Sequence, residues 1–140
     1  MAEITYTTDT SGVNWEALKA ILVEDDFDNG RTPEQYRISF ENSYLCVLAY
    51  DEEGRCIGNV RVLSDGVCNA YIVDVWTYSP YRKQGIASQM MKLAMSKLEG
   101  QHIYLFTDDA MDFYATLGFE HQPTGMGRVQ GEWLQNETRR

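Results

Sequence analysis

The stretch Asp74-Val75-Trp76-Thr77-Tyr78-Ser79-Pro80-Tyr81-Arg82-Lys83-Gln84-Gly85-Ile86-Ala87-Ser88 constrains this chain more than any other. An apolar strand runs into a proline-marked turn with two cations and then a glycine. A helix follows, with apolar residues Ile86, Met90, Leu93, Ala94 and Leu98 at helical spacing. The first backbone N–H groups of such a helix have no partner inside it, and its dipole favours negative charge there. Arg82 and Lys83 add full positive charge beside the turn, and the small residues Gly85 and Ala87 let a phosphate lie against the backbone. The stretch predicts a site for a phosphorylated ligand at that corner, against the first N–H groups of the helix. Neither common nucleotide loop fits. Gly85 is followed by Ile86-Ala87-Ser88 where a P-loop needs Lys-Ser/Thr, and a dinucleotide fingerprint needs three glycines in register.

Charge narrows the ligand further. The formal net charge is -9, from 12 Lys+Arg against 21 Asp+Glu, which argues against a nucleic-acid partner. Between Val75 and Leu98 the balance reverses, with Arg82, Lys83, Lys92 and Lys97 and no acid. A chain of 140 residues suits one domain, taken as residues 1–140. No apolar run approaches a membrane span, and Met1-Ala2-Glu3-Ile4-Thr5 lacks a basic-then-apolar signal pattern, so the expectation is a cytoplasmic protein with no membrane partner. Cys46, Cys56 and Cys68 are odd in number and widely spaced, which predicts buried free thiols and no metal site.

Taken in order, Ile4–Thr8 predicts a short strand, and Asn14 a cap on a helix carrying Trp15, Leu18, Ile21 and Leu22. The acidic segment Glu24–Gly30 resembles a calcium loop. Phe27 and Tyr36, however, fall where ligands are required, so a solvated loop is expected. Thr32-Pro33 opens a helix to about Asn42. Apolar strands Ser43–Tyr50, Cys56–Leu63 and Ala70–Trp76, joined by Asp51–Gly54 and Ser64–Gly66, make an antiparallel meander. Beyond the central helix, with Gly100 as its cap, His102–Thr107 predicts a buried strand in a right-handed parallel crossover. Asp108 or Asp109 is expected to cap a helix from Ala110 to Leu117. Phe119-Glu120-His121 reads as strand-like, and Trp133 as the last apolar anchor. The fold class is α+β (α/β), a mixed and mostly antiparallel sheet flanked by helices.

Two motifs together resemble a known family. Arg82-Lys83-Gln84-Gly85-Ile86-Ala87 after an apolar strand is similar to the pyrophosphate loop [RQ]-x-x-G-x-[GA] of the GNAT superfamily of acetyl-CoA-dependent N-acetyltransferases. Ala110-Met111-Asp112-Phe113-Tyr114-Ala115-Thr116-Leu117-Gly118-Phe119 is similar to its A-x-x-x-Y-x-x-x-G-F helix, and the element order over about residues 3–122 suits it. The resemblance implies acetyl-CoA as co-substrate. Backbone groups of Val75 and Thr77 would pair with its pantetheine arm, the N–H groups of Lys83, Gln84, Gly85, Ile86, Ala87 and Ser88 would hold its pyrophosphate, and an N–H near Val75 or Trp76 would stabilise the oxyanion. Tyr114 would be the general acid that protonates the departing thiolate. A small-molecule amine acceptor would attack directly, and a homodimer fits by resemblance. Thr107 stands where many members have Asn, and Tyr71 where some carry a Glu base. Asp74 or a water near Tyr71 are the remaining base candidates. Two other readings compete: a non-catalytic acetyl-CoA-binding module, and a glyoxalase/bleomycin-resistance-like protein suggested by Phe113–Phe119.

Overall fold

The computed structural model describes residues 3–134. Strand β1 (Thr5–Thr7) leads to helices α1 (Trp15–Glu24) and α2 (Pro33–Glu41). Strands β2 (Leu45–Tyr50), β3 (Cys56–Ser64) and β4 (Asn69–Thr77) follow. A short 3-10 turn (Ser79–Tyr81) precedes α3 (Ile86–Ser96), then β5 (His102–Tyr104) and α4 (Met111–Ala115). The sheet order is β1-β2-β3-β4-β5, antiparallel except for the parallel β4–β5 pair. The predicted α+β class, meander and parallel crossover all stand.

Local chemistry explains the helix starts. The Asn14 side chain accepts from the Ala17 N–H at 3.0 Å. Thr32 and Gln35 form a capping box ahead of Pro33, each side chain bonding the other's backbone N–H. Strand β2 is buried on both faces, which is why Leu45–Tyr50 reads as an unbroken apolar run. Val47 and Ala49 pack with Val60, Val62, Met90 and Ala94 beneath α3. Cys46 and Leu48 pack with Leu18, Leu22, Tyr36 and Phe40 beneath α1 and α2. Gly58 lets α3 approach closely, since a Cβ there would lie 3.0 Å from Met90 Cε and 3.1 Å from the Trp76 carbonyl oxygen.

Several expectations need correction. The 24–30 loop is only partly solvated: Glu24, Asp26 and Phe27 are exposed, but Asp28 is buried, accepting hydrogen bonds from Lys19 and the Tyr36 hydroxyl at 2.8 Å each. Helix α3 ends at Ser96, a turn before Gly100, because the Lys97 and Leu98 N–H groups bond back to Ala94 and Met95. β5 is an edge strand and only half-buried, with Tyr104 and Phe106 exposed. Neither Asp108 nor Asp109 caps α4; the Thr107 hydroxyl accepts from the Ala110 N–H at 3.0 Å. Phe119 begins no strand. The N–H groups of Gly118 and Phe119 bond the carbonyls of Ala115 and Tyr114, a Schellman closure with Gly118 at φ 94°. Trp133 is exposed, and of the three free cysteines Cys46 is buried, Cys56 intermediate and Cys68 exposed.

Candidate functional site

The turn before α3 carries two left-handed residues, Lys83 (φ 64°) and Gly85 (φ 83°). Left-handed residues alternating with other conformations are the kind of backbone that can turn successive N–H groups toward one concavity. The helix that follows makes its first internal bond from Gln89 to Gly85, leaving the N–H groups of Ile86, Ala87 and Ser88 without partners inside it. The buried Ile86 side chain fixes that helix end on the sheet. A Cβ at Gly85 would meet nothing within 4 Å, so the glycine answers to its backbone conformation and not to crowding. Gln84 is exposed, as are Arg82 and Lys83.

Strand β4 is irregular at the same end. Its pairing with β5 stops at Tyr71–Tyr104, so the strand's outer edge from Ile72 onward has no β5 partner. On its other side, Asn59 faces Trp76 but Arg61 faces Val73, so β4 carries an extra residue in a bulge. Asp74 sits in it at φ 55°. The free edge therefore leads from the bulge directly to the turn before α3. Val75 packs on the α3 side, and Trp76 is buried on the α1 side. Thr77 pairs with Gly58, its hydroxyl is buried without a partner, and its carbonyl accepts from Arg82 Nε at 2.8 Å.

Charged side chains lock this end of the sheet from outside β4. Arg31 Nη2 and Arg61 Nε both donate to Asp74 Oδ2 at 2.8 Å. Arg31 lies over the Tyr36 ring, 4.3 Å from its centroid, and its Nε bonds Asn29. Asp25, just past α1, accepts from Trp76 Nε1 at 2.9 Å, from Arg82 Nη2 at 3.0 Å and from the Ser79 hydroxyl. Burial alone would push its carboxyl up. The Ser79 and Trp76 hydrogen bonds and the Arg82 charge outweigh that and hold it below the ordinary 3.8. Arg82, expected beside a phosphate, thus spends its guanidinium on Asp25 and Thr77. Sequence reading missed Asn59 and Arg61 as site residues; these two polar residues inside the apolar run of β3 were the available signal.

Tyr114 is buried against Phe113 and Phe119, with ring centroids 5.0 and 5.9 Å away. It belongs to the same apolar cluster as Val75 and Ile86. Burial, and then the nearby Asp109 carboxylate, raises its phenol above the ordinary 10.0, so it carries its proton at neutral pH. Tyr71, the last β4 residue paired with β5, is half-exposed against Phe106. Among the described residues, no group of three or more His, Cys, Asp or Glu side chains is placed to hold a metal ion.

The sequence profile described as the acetyltransferase (GNAT) family matches residues 15–119, from α1 through the Schellman turn. The chain belongs to the GNAT family. The match takes in every feature just described: the bulged strand, the left-handed turn, α3 and Tyr114. A GCN5-related N-acetyltransferase 2, chloroplastic, from Arabidopsis thaliana is 38% identical over 79 residues, covering 54% of this chain and 31% of that protein. A histone acetyltransferase from Glycine max is 38% identical over 80 residues, covering 54% of this chain and 35% of that protein. The aligned part is about a third of the length of each relative. Among solved structures, a GNAT family acetyltransferase from Streptococcus pneumoniae superposes with TM-score 0.73 at 25% identity, covering 94% of this chain and 100% of the other. Glucosamine-6-phosphate N-acetyltransferase from Arabidopsis thaliana shares the fold, with TM-score 0.74 at 14% identity over 91% of this chain and 98% of the other. GNAT members normally use acetyl-CoA, and the left-handed turn with its free N–H groups is a cradle that suits a pyrophosphate. In this GNAT protein no described helix is long and apolar enough to cross a membrane.

Proposed function

We propose that this chain is an N-acetyltransferase that moves an acetyl group from acetyl-CoA to a primary amine of a small-molecule acceptor. The observation that carries the reading is the continuity of β4's unpaired edge, from Ile72 on, with the left-handed turn at Lys83 and Gly85. An extended ligand arm could add to that edge as a strand, its phosphates ending at the N-terminus of α3. Bound acetyl-CoA would supply an activated acyl group as a thioester. A backbone N–H at the bulge near Val75 or Trp76 would donate to the acyl oxygen. Tyr114, protonated and in the same cluster, would deliver a proton to the departing sulfur. Asp74 remains a base candidate, one of its oxygens being held by two arginines. The three free cysteines favour a reducing compartment, in keeping with a cytoplasmic location. A homodimer belongs to the same proposal and is read by light scattering.

The test is release of free CoA thiol from acetyl-CoA across small amines, polyamines, amino acids and peptides, alongside thermal shift. Saturating acetyl-CoA at about a hundred times Kd should stabilise the fold by about 2.7 kcal/mol, a shift of several degrees. Binding without acceptor-dependent thiol release would favour a non-catalytic acetyl-CoA module.

A further inference from the structure

A small pocket opens beside the bulge, walled by Leu22, Phe27, Tyr36 and Phe40 and closed by Arg31, Asn59 and Asp74. Phe27 is its most exposed wall, whereas Arg31 and Asn59 are 6% and 2% exposed. Each keeps one buried polar atom without a partner, Arg31 Nη1 and Asn59 Oδ1. The rest of the Arg31 guanidinium is committed, Nε to Asn29 and Nη2 to Asp74, with its face on Tyr36. Nη1 is thus a fixed, spare donor. Buried donors and acceptors are rarely left unpaired, and two in one pocket mark a place where something polar belongs.

We infer that the acetyl acceptor is an amino alcohol, whose hydroxyl lodges between Arg31 Nη1 and Asn59 Oδ1; this rests on the acetyltransferase reading above. One hydroxyl oxygen accepts from the guanidinium and donates to the amide oxygen, satisfying both atoms at once. The space is close to that of a single water, which matches one oxygen. A carboxylate has no proton for Asn59 Oδ1. An ammonium offers no lone pair to Arg31 and brings positive charge beside it, and a methyl group leaves both atoms unpaired. A hydroxyl there replaces a water that would bridge the same two atoms in the free protein. Because Asp74 both lines the pocket and sits in the bulge, an amine two or three carbons from that hydroxyl falls toward the free edge of β4. The chemistry is a 1,2- or 1,3-amino alcohol, whether a simple alkanolamine or an aminosugar.

The test compares matched acceptors on the full chain with acetyl-CoA: 3-amino-1-propanol, the isosteric butylamine, β-alanine and glucosamine. The expected kcat/KM for 3-amino-1-propanol exceeds that for butylamine by about ten-fold or more, from the cost of leaving the two atoms unpaired. A glucosamine rate above the alkanolamine's identifies the sugar as the source of the hydroxyl, and the reverse identifies the simple amine; either supports the inference. Asn59→Leu, close in shape, should narrow the gap while the acetyl-CoA thermal shift persists. Equal rates for alcohol and alkylamine, or preference for β-alanine as a turned Asn59 amide would give, overturn the inference. Where turnover is too slow to compare, thermal shift of the CoA-saturated protein reads the same ranking, and no advantage for the alcohol overturns it as well. Failure to bind acetyl-CoA at all would instead sink the parent reading.

Discussion

Asp74 adopts a backbone conformation that few side chains tolerate, and aspartate is among those that do so most readily. Its carboxylate, with Arg31 from the loop before α2 and Arg61 from β3, makes the bulge a fixed feature where a single strand could otherwise relax into regular pairing. Tyr114 is the residue whose chemistry is most directly testable. Its contacts with Phe113 and Phe119 are ring against ring, so Tyr114→Phe should leave the melting temperature nearly unchanged. Loss of the acid should lower kcat by about 10²–10⁴-fold with little change in the KM for acetyl-CoA. Unchanged turnover in this variant would reduce Tyr114 to packing. The tyrosine could be singled out from sequence because it stands four residues before a Gly-Phe pair. That pair closes its helix by a local rule, since the Phe119 N–H reaches back to the Tyr114 carbonyl.

At the level of elements, the turn into α3 joins a strand edge to a helix terminus. Gly85→Ala should cost about 1 kcal/mol, because an alanine is strained at a left-handed φ even with open space around its Cβ. That corresponds to a fall of about 4 °C in melting temperature. Gly85→Asp should add a carboxylate among the N–H groups that would hold phosphate and abolish the acetyl-CoA thermal shift. A retained shift would mean that the ligand lies elsewhere. This turn was readable in advance because strand, proline, cations, glycine and helix are contiguous. The segment 24–30 was not. Its acids look like surface residues until Trp76, Ser79 and Arg82, distant in the chain, arrive to bond Asp25.

For the whole molecule, those docked carboxylates set the response to acid. Asp25 and Asp28 both titrate below 3.8 in the fold, where hydrogen bonds and neighbouring cations overcome burial. A depressed folded value means the stabilisation is complete above the unfolded value and is lost as pH falls through the folded one. The melting temperature should therefore hold from pH 7 to about 5 and drop below about 4. Asp25→Asn should melt lower at pH 7 and show a shallower acid loss; an acid profile identical to the parent's would remove Asp25 from that account. The meander, the parallel crossover and the GNAT assignment were legible because they rest on periodicity and on two local motifs, whereas the place of β1 beside β2 was not. The short, half-exposed β5 was overestimated, since an apolar run of that length reads the same in a central strand and at an edge.

The amino-acid sequence by itself determined the N-caps of α1 and α2, the meander, the glycine turn before α3 and the position of Tyr114. Each depends on residues adjacent along the chain, whose propensities and hydrogen bonds operate at short range. Only the tertiary structure decided the bulge at Asp74, the end of β4–β5 pairing at Tyr71 and the meeting of Arg31, Asn59 and Arg61 beside them. These depend on register between strands and on a loop folding across the sheet. Such pairings bring together side chains separated by up to 43 positions, as in Arg31 and Asp74, and no local pattern encodes them.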